Sequence, residues 1–296
     1  MRWGVLGLLV LIWVLAVVSA CAPASKLLIQ QHQEMAETKG FDARYIKGDS
    51  FTLFTLASNA SAQNLGASNE ESSRSATIYL EGDGQAWINR KRVSLNPTPK
   101  RPIGMLLAAE DRSKHRIFYI ASACQFLMKG EDPSCTEKYW TSHRYSSEVI
   151  GNMNSVIDDL KKTYNIETLH LVGFSGGAAV ALLTSAIRND VKSIRTVAGN
   201  LNTDLFTEYH NVSLMTGSLN PTHFAHQLAD IPQIHFVGSN DKVVPARIAQ
   251  SFVGSLGASS CAQIRIIQNV SHQDGWVENW SKLTTVNAVC DILGAY

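Results

Sequence analysis

The chain has 296 residues, 45% of them apolar and 17% charged, with a formal net charge of +1. That profile supplies a core for one large domain or two small ones, and it excludes a mainly disordered or low-complexity chain. No basic run exceeds Arg90-Lys91-Arg92, so the electrostatic footprint of a nucleic-acid binder is missing, and no fixed period marks a repeat protein.

The first twenty residues stand apart. Met1-Arg2 is a short basic start, residues 3–18 are almost wholly apolar, and Ser19-Ala20-Cys21 follows. A basic start, an apolar segment and small residues at its end make a secretory signal peptide. Val18-Ser19-Ala20-Cys21 also resembles a bacterial lipobox, which implies lipidation of Cys21 as the first residue of the mature chain. The alternative is an uncleaved anchor, since 18 apolar residues just span a bilayer. Either way the body of the protein is expected outside the cytoplasm and tethered to a membrane. In the resembled lipoproteins of enteric bacteria, Ala22 after the cysteine implies sorting to the outer membrane. Cleavage before Cys21 removes one charged residue, Arg2, and leaves a formal charge of zero.

Cys124, Cys135, Cys261 and Cys290 remain. An even number in an oxidising compartment predicts two disulfides. Of the three pairings, Cys124–Cys135 and Cys261–Cys290 are favoured because each brackets one local stretch. A zinc site is disfavoured by the lack of any Cys-x-x-Cys or of a His at ligand spacing from a Cys.

In chain order, residues 27–38 read as an amphipathic helix ended by Gly40. Residues 43–47 and 51–57 read as a hairpin around Gly48-Asp49. Residues 58–75, rich in Ser, Asn, Ala and Glu, read as a surface loop. Strands are expected at 76–80, 117–121, 168–174, 193–198, 233–237 and 263–267. Helices are expected at 146–164, 176–188, 245–256 and 276–293, the last with Trp276, Trp280, Leu283 and Cys290 on one face. Strands alternating with helices imply a mostly parallel sheet covered on both faces, in one domain. Two irregular stretches, 122–145 and 199–232, follow strands and are expected to wall a site at the carboxyl ends of the strands.

Gly173-Phe174-Ser175-Gly176-Gly177 matches Gly-x-Ser-x-Gly. It follows the apolar strand Leu169-His170-Leu171-Val172 and opens the helix Ala178-Ala179-Val180-Ala181. That strand–turn–helix setting is a nucleophile elbow, whose sharp turn demands small neighbours. A hydroxyl needs a base to take its proton and a carboxylate to orient the base. Asp241 lies in the turn of Val237-Gly238-Ser239-Asn240-Asp241, after a strand and before Val243-Val244-Pro245. His272 lies in Ser271-His272-Gln273-Asp274-Gly275, after the final strand.

In these features the chain resembles the α/β-hydrolases over roughly residues 40–293. The resemblance implies an α/β-hydrolase fold with a mostly parallel central sheet, helices on both faces and a small insert after the sixth strand. It implies the roles of nucleophile for Ser175, acid for Asp241 and base for His272, in the family's chain order. Asp204 is the rival acid; His210, His223, His226 and His235 read as surface or packing residues. The oxyanion donors are expected at the backbone N–H of Gly176 and of Asp83, with Gly84 the alternative to Asp83. The loop Glu81-Gly82-Asp83-Gly84 resembles the family's His-Gly segment, with Glu81 where His is usual. Trp87, Phe126, Tyr139 and Trp140 read equally as pocket walls or as packing, and Arg144 as a surface arginine.

These readings divide the chain into a signal peptide (1–20), a lipidated N-terminus and tether (21–39) and an α/β-hydrolase domain (40–296). The expected function is that of an exported, membrane-anchored serine hydrolase, periplasmic or at the outer membrane in a bacterium, cleaving a carboxylic ester or related acyl bond through an acyl-enzyme. No metal or organic cofactor and no nucleic acid is involved. The small insert after the sixth strand favours a small- or medium-sized acyl substrate. The alternatives are an envelope acyltransferase or peptidase on the same triad, and a non-catalytic binding lipoprotein on the same scaffold.

Overall fold

A computed structural model describes residues 24–59, 74–257, 261–288 and 290. The leader, Cys21 and most of the 58–75 loop lie outside the described residues. Eight strands form the main sheet: β1 (Phe41–Lys47), β2 (Thr52–Ser58), β3 (Ser75–Leu80), β4 (Arg116–Ile120), β5 (Thr168–Phe174), β6 (Val191–Val197), β7 (Gln233–Gly238) and β8 (Ala262–Ile267). Their spatial order is β1-β2-β4-β3-β5-β6-β7-β8. β2 runs antiparallel to β1 and to β4; every other neighbouring pair is parallel. Each expected strand is present.

The central strands carry no apolar–polar alternation because both faces are covered. All six residues of β3 are buried. Ile78, Phe118, Leu171 and Ile194 point to one face, packed against helices α3 (Ser147–Tyr164), α4 (Gly176–Ser185) and α7 (Ala246–Ser255). Tyr79, Tyr119, Val172 and Phe236 point to the other, against α1 (Ala24–Thr38), α2 (Ile103–Glu110) and α8 (Trp276–Leu283). The α3 helix shows why its sequence is helical. Ser146 Oγ accepts from Val149 N–H at its start, Asn165 closes it at a φ of 55°, and Val149, Met153, Val156, Ile157 and Leu160 are buried. The insert after β6 is small: α5 (Thr203–His210), a single turn Pro221–Phe224 and the short α6 (Ala225–Leu228).

Four local expectations change. Residues 24–38 are no free tether: Ile29, His32 and Ala36 are buried, Ile29 and Ala36 pack with Phe41 and Phe126, and the folded domain therefore starts before residue 40. The α2 helix gives no amphipathic signal because Ile103-Gly104-Met105-Leu106-Leu107-Ala108-Ala109 is apolar all round. A two-stranded hairpin, Trp87–Asn89 with Arg92–Val93, also forms in a stretch to which the sequence assigned no element. The last helix ends at Leu283, where the hydroxyls of Thr284 and Thr285 donate to the carbonyls of Ser281 and Lys282. Cys290 is bonded to Cys261, ahead of β8, and Cys124 to Cys135, across the loop after β4. Among the described residues no helix is long and apolar enough to cross a membrane.

Candidate active site

β5 delivers Ser175 into a left-handed turn, φ 51° and ψ −116°, at the mouth of α4. A serine at positive φ is strained, and the surroundings hold it there. Its N–H donates to Val197 O, and its carbonyl accepts from the N–H groups of Ala178 and Asn200. The glycines are forced by contact rather than by backbone angle. A Cβ on Gly173 would sit 2.4 Å from Gly177 O, and one on Gly177 would sit 2.3 Å from Leu80 O.

The structure brings Ser175, His272 and Asp241 together from three loops. His272 Nε2 lies 3.1 Å from Ser175 Oγ, and Nδ1 lies 2.9 Å from Asp241 Oδ2. With Asp241 a carboxylate, Nδ1 carries the proton and donates, which leaves Nε2 to accept from the serine hydroxyl. The Asp241 carboxylate is wholly buried. Its other oxygen accepts from the N–H groups of Val243 and Val244, both at 2.8 Å, so both oxygens are fixed. The loops that carry Asp241 and His272 also brace each other. Asn240 N–H donates to Val270 O, and a Cβ on Gly238 would strike that same carbonyl at 2.4 Å. Buried Trp276 donates from its indole N–H to His272 O. Asp204 instead accepts from Asn220, and Asp241 is the carboxylate that pairs with His272. His210 meets Val243 O, and His235 is buried beside Thr196, where burial lowers its pKa to about 3.

The loop after β3 faces the elbow. Gly176 and Asp83 are in contact: a Cβ on Gly176 would lie 2.0 Å from Asp83 Oδ1. Among the described residues, no backbone or side-chain hydrogen bond uses the N–H of Gly176, Asp83 or Gly84. The two expected donors, Gly176 and Asp83, and the alternative Gly84 are therefore unspent.

Glu81 has a clear structural role. It is fully buried, and its carboxyl accepts from the N–H groups of Gly82, Gly104 and Met105 and from Tyr119 Oη. It thus caps the N-terminus of α2, whose own flanking residue is Pro102 with no side-chain cap, and pins the loop to that helix. Burial raises its pKa to about 7 against the opposing pull of these donors.

Two side chains that sequence reasoning undervalued grip Asp83, next to Gly176. Arg144 is not an ordinary surface residue: its side chain is 14% exposed, and Nη1 meets Asp83 Oδ2 at 2.6 Å. Its Nε donates to Thr141 O. Tyr145 Oη donates to the same Asp83 carboxylate at 2.9 Å. Burial and the Asp83 charge push that phenol well above its ordinary pKa, so it remains a donor. The sequence signal was the adjacency Arg144-Tyr145 in a loop that follows a strand end.

Of the four aromatic candidates, Trp87 alone lines the cleft, a space of about 490 Å³ over Ser175 and His272 that Phe174, Phe206, Val243 and Arg144 also wall. Phe126 stacks on Phe54, Tyr139 packs edge-on against Phe51, and Trp140 donates to Ser94 O.

No protein-family model and no curated protein matches the chain in sequence. Solved structures match it in shape. An esterase of Pyrococcus furiosus is 12% identical, with 84% of this chain and 90% of that one covered and a TM-score of 0.56. Est1E of Butyrivibrio proteoclasticus is 13% identical, with 81% and 95% covered and a TM-score of 0.55. An alpha-beta serine hydrolase homologue of Coxiella burnetii is 16% identical, with 82% and 94% covered and a TM-score of 0.52. Together with the strand order, these likenesses establish that the chain has the α/β-hydrolase fold.

Proposed function

We propose that the protein is a serine hydrolase that cleaves a carboxylic ester or related acyl bond through an acyl-enzyme. The observation that carries this reading is the continuous hydrogen-bonded line Ser175–His272–Asp241 at a strained elbow. His272 Nε2 takes the Ser175 proton as Oγ attacks the acyl carbon. The imidazolium so formed is stabilised by buried Asp241 and then protonates the leaving group. The N–H groups of Gly176 and Asp83 meet the developing oxyanion. Water attacks the acyl-enzyme by the same route, with His272 again the base. Asp83 carries a negative charge beside that oxyanion, and Arg144 and Tyr145 offset it.

The esterases among the likenesses support an ester substrate, and the small insert after β6 supports a small- or medium-sized acyl group. The apolar leader and Cys21 support export and a lipid tether to a membrane, and the two disulfides fit an oxidising compartment. The experiment is labelling with a fluorophosphonate probe alongside Ser175→Ala. Labelling of the wild type and not of the variant is expected. Equal labelling of both, or none of a folded wild type, overturns the reading.

A further inference from the structure

A groove of about 830 Å³ opens beside the cleft, between α1 and the 87–93 hairpin. Leu27, Ile88, Val93 and Leu95 wall it, and Gln85 and Lys100 line both groove and cleft. Large apolar side chains are left in solvent along this stretch: Leu95 is 70% and Leu27 53% exposed, and Ile88 is exposed with them. Trp87 and Val243, both exposed, continue the apolar rim around the mouth over Ser175. A contiguous exposed apolar surface of this kind marks an interaction site.

Two further observations say what covers it. The first is charge. Arg92 and Lys100 line the groove, Arg90 and Lys91 sit at the tip of the same hairpin, and no carboxylate is among the lining residues. The second is connectivity. Ala24 and Ser25 are in the groove wall, so the described chain enters the fold here, three residues after Cys21 and six after the end of the apolar stretch 3–18. Apolar side chains ringed by Lys and Arg, at the point where a membrane tether would arrive, suit an anionic lipid interface.

We propose that this rim and groove dock on an anionic phospholipid bilayer, which holds the cleft mouth against a membrane-borne ester of a small or medium acyl group. The ester part of the proposal rests on the serine-hydrolase reading; the docking part does not. A tether alone would leave the cleft free to face any direction, whereas docking holds its mouth against the lipid.

The test uses the full-length chain in phosphatidylcholine–phosphatidylglycerol vesicles carrying brominated lipid. The difference between wild type and Trp87→Phe isolates the Trp87 fluorescence. The expected result is quenching of that component, weakened by added salt. The double variant Ile88→Asp/Leu95→Asp should lose the quenching. It should hydrolyse a vesicle-borne ester about tenfold more slowly, yet cleave a soluble short-chain ester at the wild-type rate. An unquenched Trp87, or a double variant equal to wild type on both esters, overturns the proposal. Dimerisation through the groove, or its occupation by residues 3–18, would also leave Trp87 unquenched. A quenched Trp87 in a protein whose Ser175 ignores the fluorophosphonate would sink the hydrolase reading and leave the docking surface standing.

Discussion

At the carboxyl end of β5 the backbone turns on glycine; at the carboxyl end of β3 it turns on buried charge. The elbow is held by exclusion of volume, because at Gly173 and Gly177 any Cβ would collide with neighbouring backbone. The facing loop is held by polar contacts from distant parts of the chain. Glu81 reaches the start of α2, Gln125 donates to Gly82 O, and Arg144 and Tyr145 grip Asp83. Steric restriction is written in a short motif. A polar clamp assembled across sixty residues leaves little local trace, although it sits as close to the reacting atoms.

Substitutions can break each half of this comparison separately. The largest effect belongs to the elbow itself: Ser175→Ala should lower kcat about 10⁴-fold or more with the fold intact, read by steady-state kinetics and circular dichroism. Next, Gly177→Ala drives a methyl group towards the carbonyls of Leu80 and Glu81. It should cost about 3 kcal/mol in urea unfolding; an unchanged midpoint would show that the elbow is not volume-limited. On the polar side, Arg144→Met leaves Asp83 charged beside the oxyanion site and should lower kcat about 10–100-fold with a smaller change in KM. Adding Asp83→Asn should restore part of that loss. If the double variant is no better than Arg144→Met, the charge-offsetting role is wrong.

The smallest effect is the pH dependence of Glu81. Its folded pKa of about 7 lies above the ordinary 4.5. The native state therefore keeps a proton that the unfolded chain releases between those values. The corresponding stability is complete below pH 4.5 and is lost as pH rises through 7. Glu81→Gln should abolish that decline, a difference of about 1–3 kcal/mol between pH 5 and pH 8. Buried His235 and half-buried His170, lowered to about 3 and about 4, cost stability as pH falls below 6.5 in both chains and cancel from the difference. A difference between the two chains that does not change with pH would contradict the burial of an ionisable Glu81.

Legibility in the sequence follows the same division. The sheet was readable because each buried strand is a short apolar run bounded by turns, and the sites for Ser175, Asp241 and His272 because each stands just past a strand end. The α2 helix was not, since its apolar residues run all the way round and its N-terminal cap comes from Glu81, far upstream. The α1 helix was readable as a helix, but its docking was not: a few buried side chains, Ile29, His32 and Ala36, decide that, and their partners Phe41 and Phe126 come from elsewhere in the chain. Arg144 looked like any surface arginine until the fold set Asp83 against it.

An acyl-enzyme is a covalent species, so it can be trapped and weighed. The purified protein is mixed with an activated acetate ester, quenched in acid within the first turnover, and digested for peptide mass spectrometry. One acetyl group is expected on the peptide holding Ser175, absent from Ser175→Ala and slow to leave in His272→Ala. Turnover of the ester with no acyl group on Ser175, or with the acyl group on another residue, would contradict it.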